Sequence, residues 1–151
     1  MAEMSLHDLS EQMRKIDFTM LFTKAQNGAL AGRPMSNNGE VEYEGDSYFF
    51  AWGDSHVVAD CEREPQVGMS LQGKSGLTGK PPIFIAVEGR ATVVRDDKAA
   101  FQEHWTKDLD RWFPQGADTP NLAMIKVTAE RIHYWDGEDE GEIPVRGGNA
   151  A

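Results

Sequence analysis

Between Phe18 and Met35 two short apolar runs, FTMLFT and ALAGRPM, are separated by Gln26-Asn27-Gly28. Asn and Gly both tolerate positive φ, so this pair predicts a tight antiparallel hairpin. Strands are then expected at SYFFAW, at QVGMSLQ and at PIFIAVEGRATVVR, the last with a bulge or bend at Gly89. LAMIKVTAERIHYWD supplies one or two more. Short helices interrupt this series. Ser5 and Asp8 open a capping box for a helix from Ser5 to Ile16, with Leu6, Leu9, Met13 and Ile16 at helical spacing. Asp54-Ser55 caps a helix over HVVADCERE that Pro65 ends. DDKAAFQEHWTKDLDRWF reads as one helix, capped at Asp96 or Asp97, with Phe101, Trp105, Leu109 and Trp112 on one face. Six or seven strands in hairpin-like succession predict a mainly β fold, an antiparallel barrel with helices plugging its gaps, and not alternating βαβ units.

A chain of 151 residues is long enough for one domain with one core. We place that domain at residues 1–136. The acidic, glycine-rich stretch 137–151 is expected to be a solvated, mobile tail. The apolar windows are too short to span a bilayer, and the N-terminus carries acids in place of an apolar signal core, so a cytoplasmic location is expected. A net charge of −10 with scattered bases argues against a nucleic-acid partner.

Several motifs fail on inspection. Gly73 to Pro82 has Lys74 where a phosphate loop needs glycine, and Pro81 where it needs Ser or Thr, so a hairpin loop is expected there. The acids from Asp136 onward begin like a calcium loop but meet Gly147 where the bidentate acid belongs. Cys61 is the single cysteine and is expected to be a buried bystander, and His7, His56, His104 and His133 lack metal-ligand spacing.

What remains is a dispersed set: Arg33-Pro34-Met35 at a strand end, Phe49-Phe50-Ala51, Asp54-Ser55-His56 at a helix start, and His133-Tyr134-Trp135. A guanidinium, a serine hydroxyl and opening helix amides are the groups that hold a phosphate dianion. Pro34 lacks a donor, which marks an edge or bulge position. Trp112 or Trp135 offers a flat wall to an aromatic ring system.

The order of these pieces resembles the pyridoxamine 5′-phosphate oxidase-like superfamily of FMN-binding split barrels, most closely its general stress protein 26 branch. The resemblance runs from about Leu6 to Asp136 and is carried by MLFT…GALAGRPM, YFFAWGDS, PQVGMSLQ, VEGRATVV, WFPQGADTPNLAMIKV and IHYWDG. It implies a six- to seven-stranded antiparallel split barrel, and a homodimer with two FMN molecules at the subunit interface. It further implies that Arg33, Pro34 and Met35 line the flavin and its phosphate tail, that Phe50 and Ala51 meet the cofactor, and that Ser55 and His56 contact the phosphate. Trp135 corresponds to the tryptophan supplied by the partner subunit. Three positions depart from the family pattern. Val57 stands where a phosphate-binding lysine is expected, and Trp52 where a small or acidic residue is usual. DGEDEGEIPV replaces the R-x-H that grips pyridoxamine phosphate, so that compound is not the expected substrate. The implied function is an FMN-dependent reductase or oxidase of a small molecule. The alternatives are a non-catalytic, redox-sensing flavin binder, or a barrel that has changed ligand to a deazaflavin or haem.

Overall fold

The computed structural model describes residues 4–145 apart from 38, 40, 41, 76 and 77. Its seven strands form one antiparallel sheet, β1 Phe18–Lys24, β2 Leu30–Ser36, β3 Asp46–Trp52, β4 Gln66–Gln72, β5 Phe84–Arg95, β6 Leu122–Asp136 and β7 Asp139–Ile143. The path runs β2-β1-β4-β5-β6-β3, with β7 paired to β6 beyond the end of β3. Hence β2 and β3 are its two ends, and among the described residues no pairing joins them. That seam is the split of the expected split barrel.

Alternation builds the core. Thr19, Leu21 and Thr23 of β1 face inward with Val67, Met69 and Leu71 of β4 and Ile85 and Val87 of β5, all buried. On β6, Ala123, Ile125, Val127 and Ala129 face the same interior, and so do Ile132 and Tyr134 further on. A bulge makes this possible. Glu88 opposes Arg131 and Gly89 opposes Ala129, so Glu130 is an extra residue that resets the two-residue period. A side chain at Gly89 would bring a Cβ within 2.7 Å of the Thr128 carbonyl oxygen, so the bulge expected there requires glycine.

Local signals act as expected in most places. Ser5 and Asp8 form the reciprocal capping box of α1, Leu6–Met13. Ala25 and Ala29 close the first hairpin, with Gly28 at φ +86°. α2 runs His56–Arg63 and buries Val57, Val58 and Cys61 against the barrel. Burial pushes the Cys61 thiol up to about 11, consistent with an inert bystander.

Two expectations are corrected. The helix read over 96–113 is two pieces: α3, Lys98–His104, capped by Asp97, and a 3₁₀ turn, Lys107–Arg111. Trp105 breaks it, adopting ψ 138° while its indole N–H donates to Asp110 Oδ1 at 2.9 Å. Phe101 and Leu109 still reach one small core with Phe50, Phe113, Leu122 and Met124, but Trp112 is left 55% exposed. The stretch expected to be a mobile tail is also ordered as far as Val145, because Asp139–Ile143 pairs with β6. Glu140 bonds His133, Glu142 bonds Arg131, and Ile143 is buried. Residues 146–151 lie outside the described residues.

Candidate functional site

A cleft of about 350 Å³ opens along the seam between β2 and β3. Pro34, Met35 and Ser36 form one wall, and Phe50, Ala51 and Trp52 the other. Ser55 closes one side at the start of α2, while Phe18, Leu109, Trp112 and Phe113 complete the lining. Pro34 sits on an end strand of the sheet path, the edge position expected of a residue without a donor. The turn between β3 and α2 is pinned from several sides. The Gly53 amide donates to Asn121 O at 2.7 Å, the Ser55 amide donates to Trp52 O at 3.0 Å, and Arg95 donates to Gly53 O at 3.0 Å.

The walls are flat and apolar. Trp52, 46% exposed, tilts against Phe113 with ring centroids 5.2 Å apart. Phe113 in turn packs on Trp105, which packs on Phe50. Such a chain of ring contacts fixes the orientation of each wall. Among the described lining residues no side chain is charged, and Ser36 and Ser55 supply the hydroxyls.

Five of the residues expected at a cofactor site therefore converge here: Pro34, Met35, Phe50, Ala51 and Ser55. Arg33, His56 and Trp135 do not line the cleft. His56 is exposed at the first position of α2. Trp135 lies at the far end of β6 from Leu122, the pairing partner of Trp52, and its ring stacks on His133 at 4.3 Å. Sequence reasoning missed Ser36, which follows Met35 on β2, and with it Phe18, Leu109 and Phe113. The exposed side of the FTMLFT alternation signals Phe18, whereas Leu109 and Phe113 depend on how the 3₁₀ turn folds over the seam.

The Arg33 guanidinium is held inside the barrel. Its Nη1 donates to Thr23 Oγ1 at 2.7 Å and to Leu21 O at 3.3 Å, and its Nη2 lies 3.6 Å from Asp60 Oδ2. Thr23 Oγ1 donates to the same Asp60 oxygen at 2.9 Å, while Arg63 donates to Oδ1 at 2.9 Å. Asp60 is only 7% exposed and Arg33 23%. Burial pushes the Asp60 carboxyl up, but the bonds from Arg63 and Thr23 and the two arginine charges outweigh it and hold it below the usual range. Glu62, two residues along α2, grips Arg95 through both carboxylate oxygens. Asp60 and Glu62 thus bind the three arginines around this helix.

The fit of a flavin mononucleotide is divided. Its ring finds flat apolar walls of suitable kind. At the phosphate end, Ser55 Oγ is buried without a hydrogen-bond partner, although Ser55 is the N-cap of α2, and an acceptor group would satisfy it. The expected cations are missing, since Arg33 is paired internally and Val57 is buried and apolar.

Among the described residues no cluster of His, Cys, Asp or Glu has metal-site geometry, and no helix is long and apolar enough to cross a membrane. Comparison with known structures shows the same fold in a Clostridium acetobutylicum protein related to general stress protein 26, with TM-score 0.73, 16% identity, and coverage of 91% of this chain and 92% of that one. A haem-binding protein from Mycobacterium smegmatis matches with TM-score 0.66 and 12% identity, over 88% of this chain and 57% of its own. An F420 reductase matches with TM-score 0.60 and 17% identity, over 82% and 93%. Among curated sequences, the sensor protein CseC of Streptomyces avermitilis is 38% identical over 64 residues, 42% of this chain but 13% of that protein's length. The family model described as pyridoxamine 5′-phosphate oxidase like matches residues 5–145, nearly the whole chain and across the boundary expected at 136. The chain belongs to the pyridoxamine 5′-phosphate oxidase-like family.

Proposed function

We propose that this protein is a cytoplasmic, flavin-binding oxidoreductase that uses FMN to reduce or oxidise a small molecule. The observation that carries the proposal is the convergence of Pro34, Met35, Phe50, Ala51 and Ser55 on one apolar cleft at the barrel seam. Bound FMN supplies the electron transfer. The chain itself shapes and dries the site. Trp52, Trp112 and Phe113 bound the ring and exclude water, Pro34 and Met35 set the slot from the β2 side, and Ser55 offers a hydroxyl to a polar group.

The working unit in this reading is a homodimer. Phe18, Met20 and Phe22 project from the outer side of β1, and Phe84 pairs across to Trp135 on the same sheet, all of them exposed. Such an apolar face suits burial against a second copy. Trp135 does not reach the cleft of its own chain, so a second copy would deliver it. Pyridoxamine phosphate is a poor substrate in this reading, because acids occupy 138–140 where a phosphate grip would stand.

Titration of the protein into FMN tests the binding reading. Quenching of flavin fluorescence with saturation at micromolar protein supports it, and an unchanged signal rejects it. Addition of NADH or NADPH then separates an enzyme, whose flavin bleaches and reoxidises with turnover, from a non-catalytic flavin binder. One second reading is a changed ligand such as a deazaflavin or haem, suggested by the F420 reductase and the haem-binding protein that share the fold. The absorbance of ligand co-purifying with the protein distinguishes these.

A further inference from the structure

We propose that Asp60 sets the ligand specificity of the cleft: by holding Arg33 as an internal counter-ion it leaves a site that selects a flavin by its ring and offers the phosphate no arginine. The inference rests on the flavin reading above and narrows it to a class, the neutral isoalloxazine ring system, with riboflavin bound as well as FMN.

Three observations support it. First, Arg33 and Pro34 are adjacent on β2 but serve opposite faces. Pro34 lines the cleft, while the Arg33 guanidinium is taken by Thr23 Oγ1, the Leu21 carbonyl and Asp60. Turning it toward the cleft would strand Asp60 and Thr23 in the barrel with fewer partners, a costly exchange for largely buried polar groups. Second, the other arginines near α2 are engaged in the same way, Arg63 by Asp60 and the Lys24 carbonyl and Arg95 by Glu62 and the Gly53 carbonyl, while His56, exposed at the first position of the helix, does not line the cleft. Arg111 stands outside this set, exposed on the rim with its guanidinium 6.0 Å from the Trp112 ring centre. Third, the first turn of α2 presents Val57, packed into the core, so no ammonium follows the Ser55 hydroxyl. Beside the Ser36 and Ser55 hydroxyls, what the seam retains is aromatic and aliphatic surface, which recognises a ring and supplies no cation to a charged tail.

Asp60 is a positioning residue here, acting on the ligand only through Arg33. The test compares the dissociation constants of riboflavin and FMN for the full-length protein, by flavin fluorescence quenching, in wild type, Arg33→Gln and Asp60→Asn. The expected wild-type constants agree within about fivefold, less than one charge-assisted hydrogen bond gives. Arg33→Gln leaves that ratio unchanged. Asp60→Asn frees the guanidinium and shifts the ratio toward FMN by more than about fivefold. A wild-type preference for FMN above that threshold overturns the proposal, whether Arg33→Gln or Arg111→Ala abolishes it. So does an Asp60→Asn ratio that stays at the wild-type value. Should Asp60→Asn fail to fold, the wild-type ratio decides alone. If neither flavin binds, the parent reading of a flavin site fails together with this one, an outcome distinct from tight, phosphate-dependent FMN binding.

Discussion

The two environments that meet at β2 and α2 differ in kind. On one side lies the seam cleft, open, aromatic and uncharged in its described lining. On the other lies a closed ionic cluster in which Asp60 joins Arg33, Arg63 and Thr23. Arg33 and Pro34, consecutive in the chain, belong one to each. Charge near a site is not charge in it. In this barrel the arginine that the family resemblance assigns to a ligand is paired with Asp60 and Thr23, and the described lining of the cleft is uncharged.

The sharpest break of this comparison comes from the ionic side. Asp60→Ala removes the counter-charge of two guanidinium groups and the acceptor of the buried Thr23 hydroxyl, and is expected to cost about 3 kcal/mol in urea unfolding. A loss near zero would mean the cluster is merely a solvated surface pair. On the cleft side, Phe113→Ala removes a buried ring shared with Trp52 and Trp105, and is expected to cost about 3 kcal/mol as well. Its neighbour Trp112→Ala is the contrast: more than half exposed, it is expected to change stability by less than about 1 kcal/mol. Flavin affinity should nevertheless fall by about tenfold, as for loss of one ring contact. Equal effects of the two substitutions on stability would show that Trp112 is core and not wall.

The pH dependence separates the same regions. Asp60 has a folded pKa held below its ordinary value of about 4. The unfolded chain therefore takes up its proton first, so the stability Asp60 contributes is complete above about pH 4 and is lost as pH falls through the lowered value. Acid titration of the unfolding free energy is expected to show a shallower fall in Asp60→Asn than in wild type. The smallest effect belongs to Ser55. A capping serine normally costs about 1 kcal/mol when replaced by alanine. Ser55 makes no capping bond and its hydroxyl is unpartnered, so Ser55→Ala is expected to leave thermal stability unchanged or slightly raised. A clear loss would show that the hydroxyl already has a structural role.

How far the fold could be read in advance follows from how local each signal is. The capping box of Ser5 and Asp8, the Asn27-Gly28 hairpin and the Gly89 bulge are written within a few residues, and all are present. Strand alternation likewise groups Arg33 with Met35 on one side of β2. It cannot tell where the sheet opens, because that depends on the pairing of β3 with β6, far along the chain. Asp60, the partner that redirects Arg33, lies one helix away and carries no motif. β7 was hidden for a different reason. Its acids read as solvated tail until β6 supplies His133 and Arg131 opposite them. The spacing that puts Trp112 on a continuous helix carries no sign that Trp105 interrupts it through its bond to Asp110.

Binding of a flavin ring at the seam between β2 and β3 is read out by amide chemical-shift mapping of the labelled protein during titration with riboflavin. Binding there predicts the largest shifts at Met35, Ser36, Ala51, Trp52, Ser55 and Trp112, with Thr23 and Asp60 little changed. It is contradicted if those cleft amides stay still, or if the shifts gather instead at the separate hollow lined by Lys15, Lys74 and Lys80.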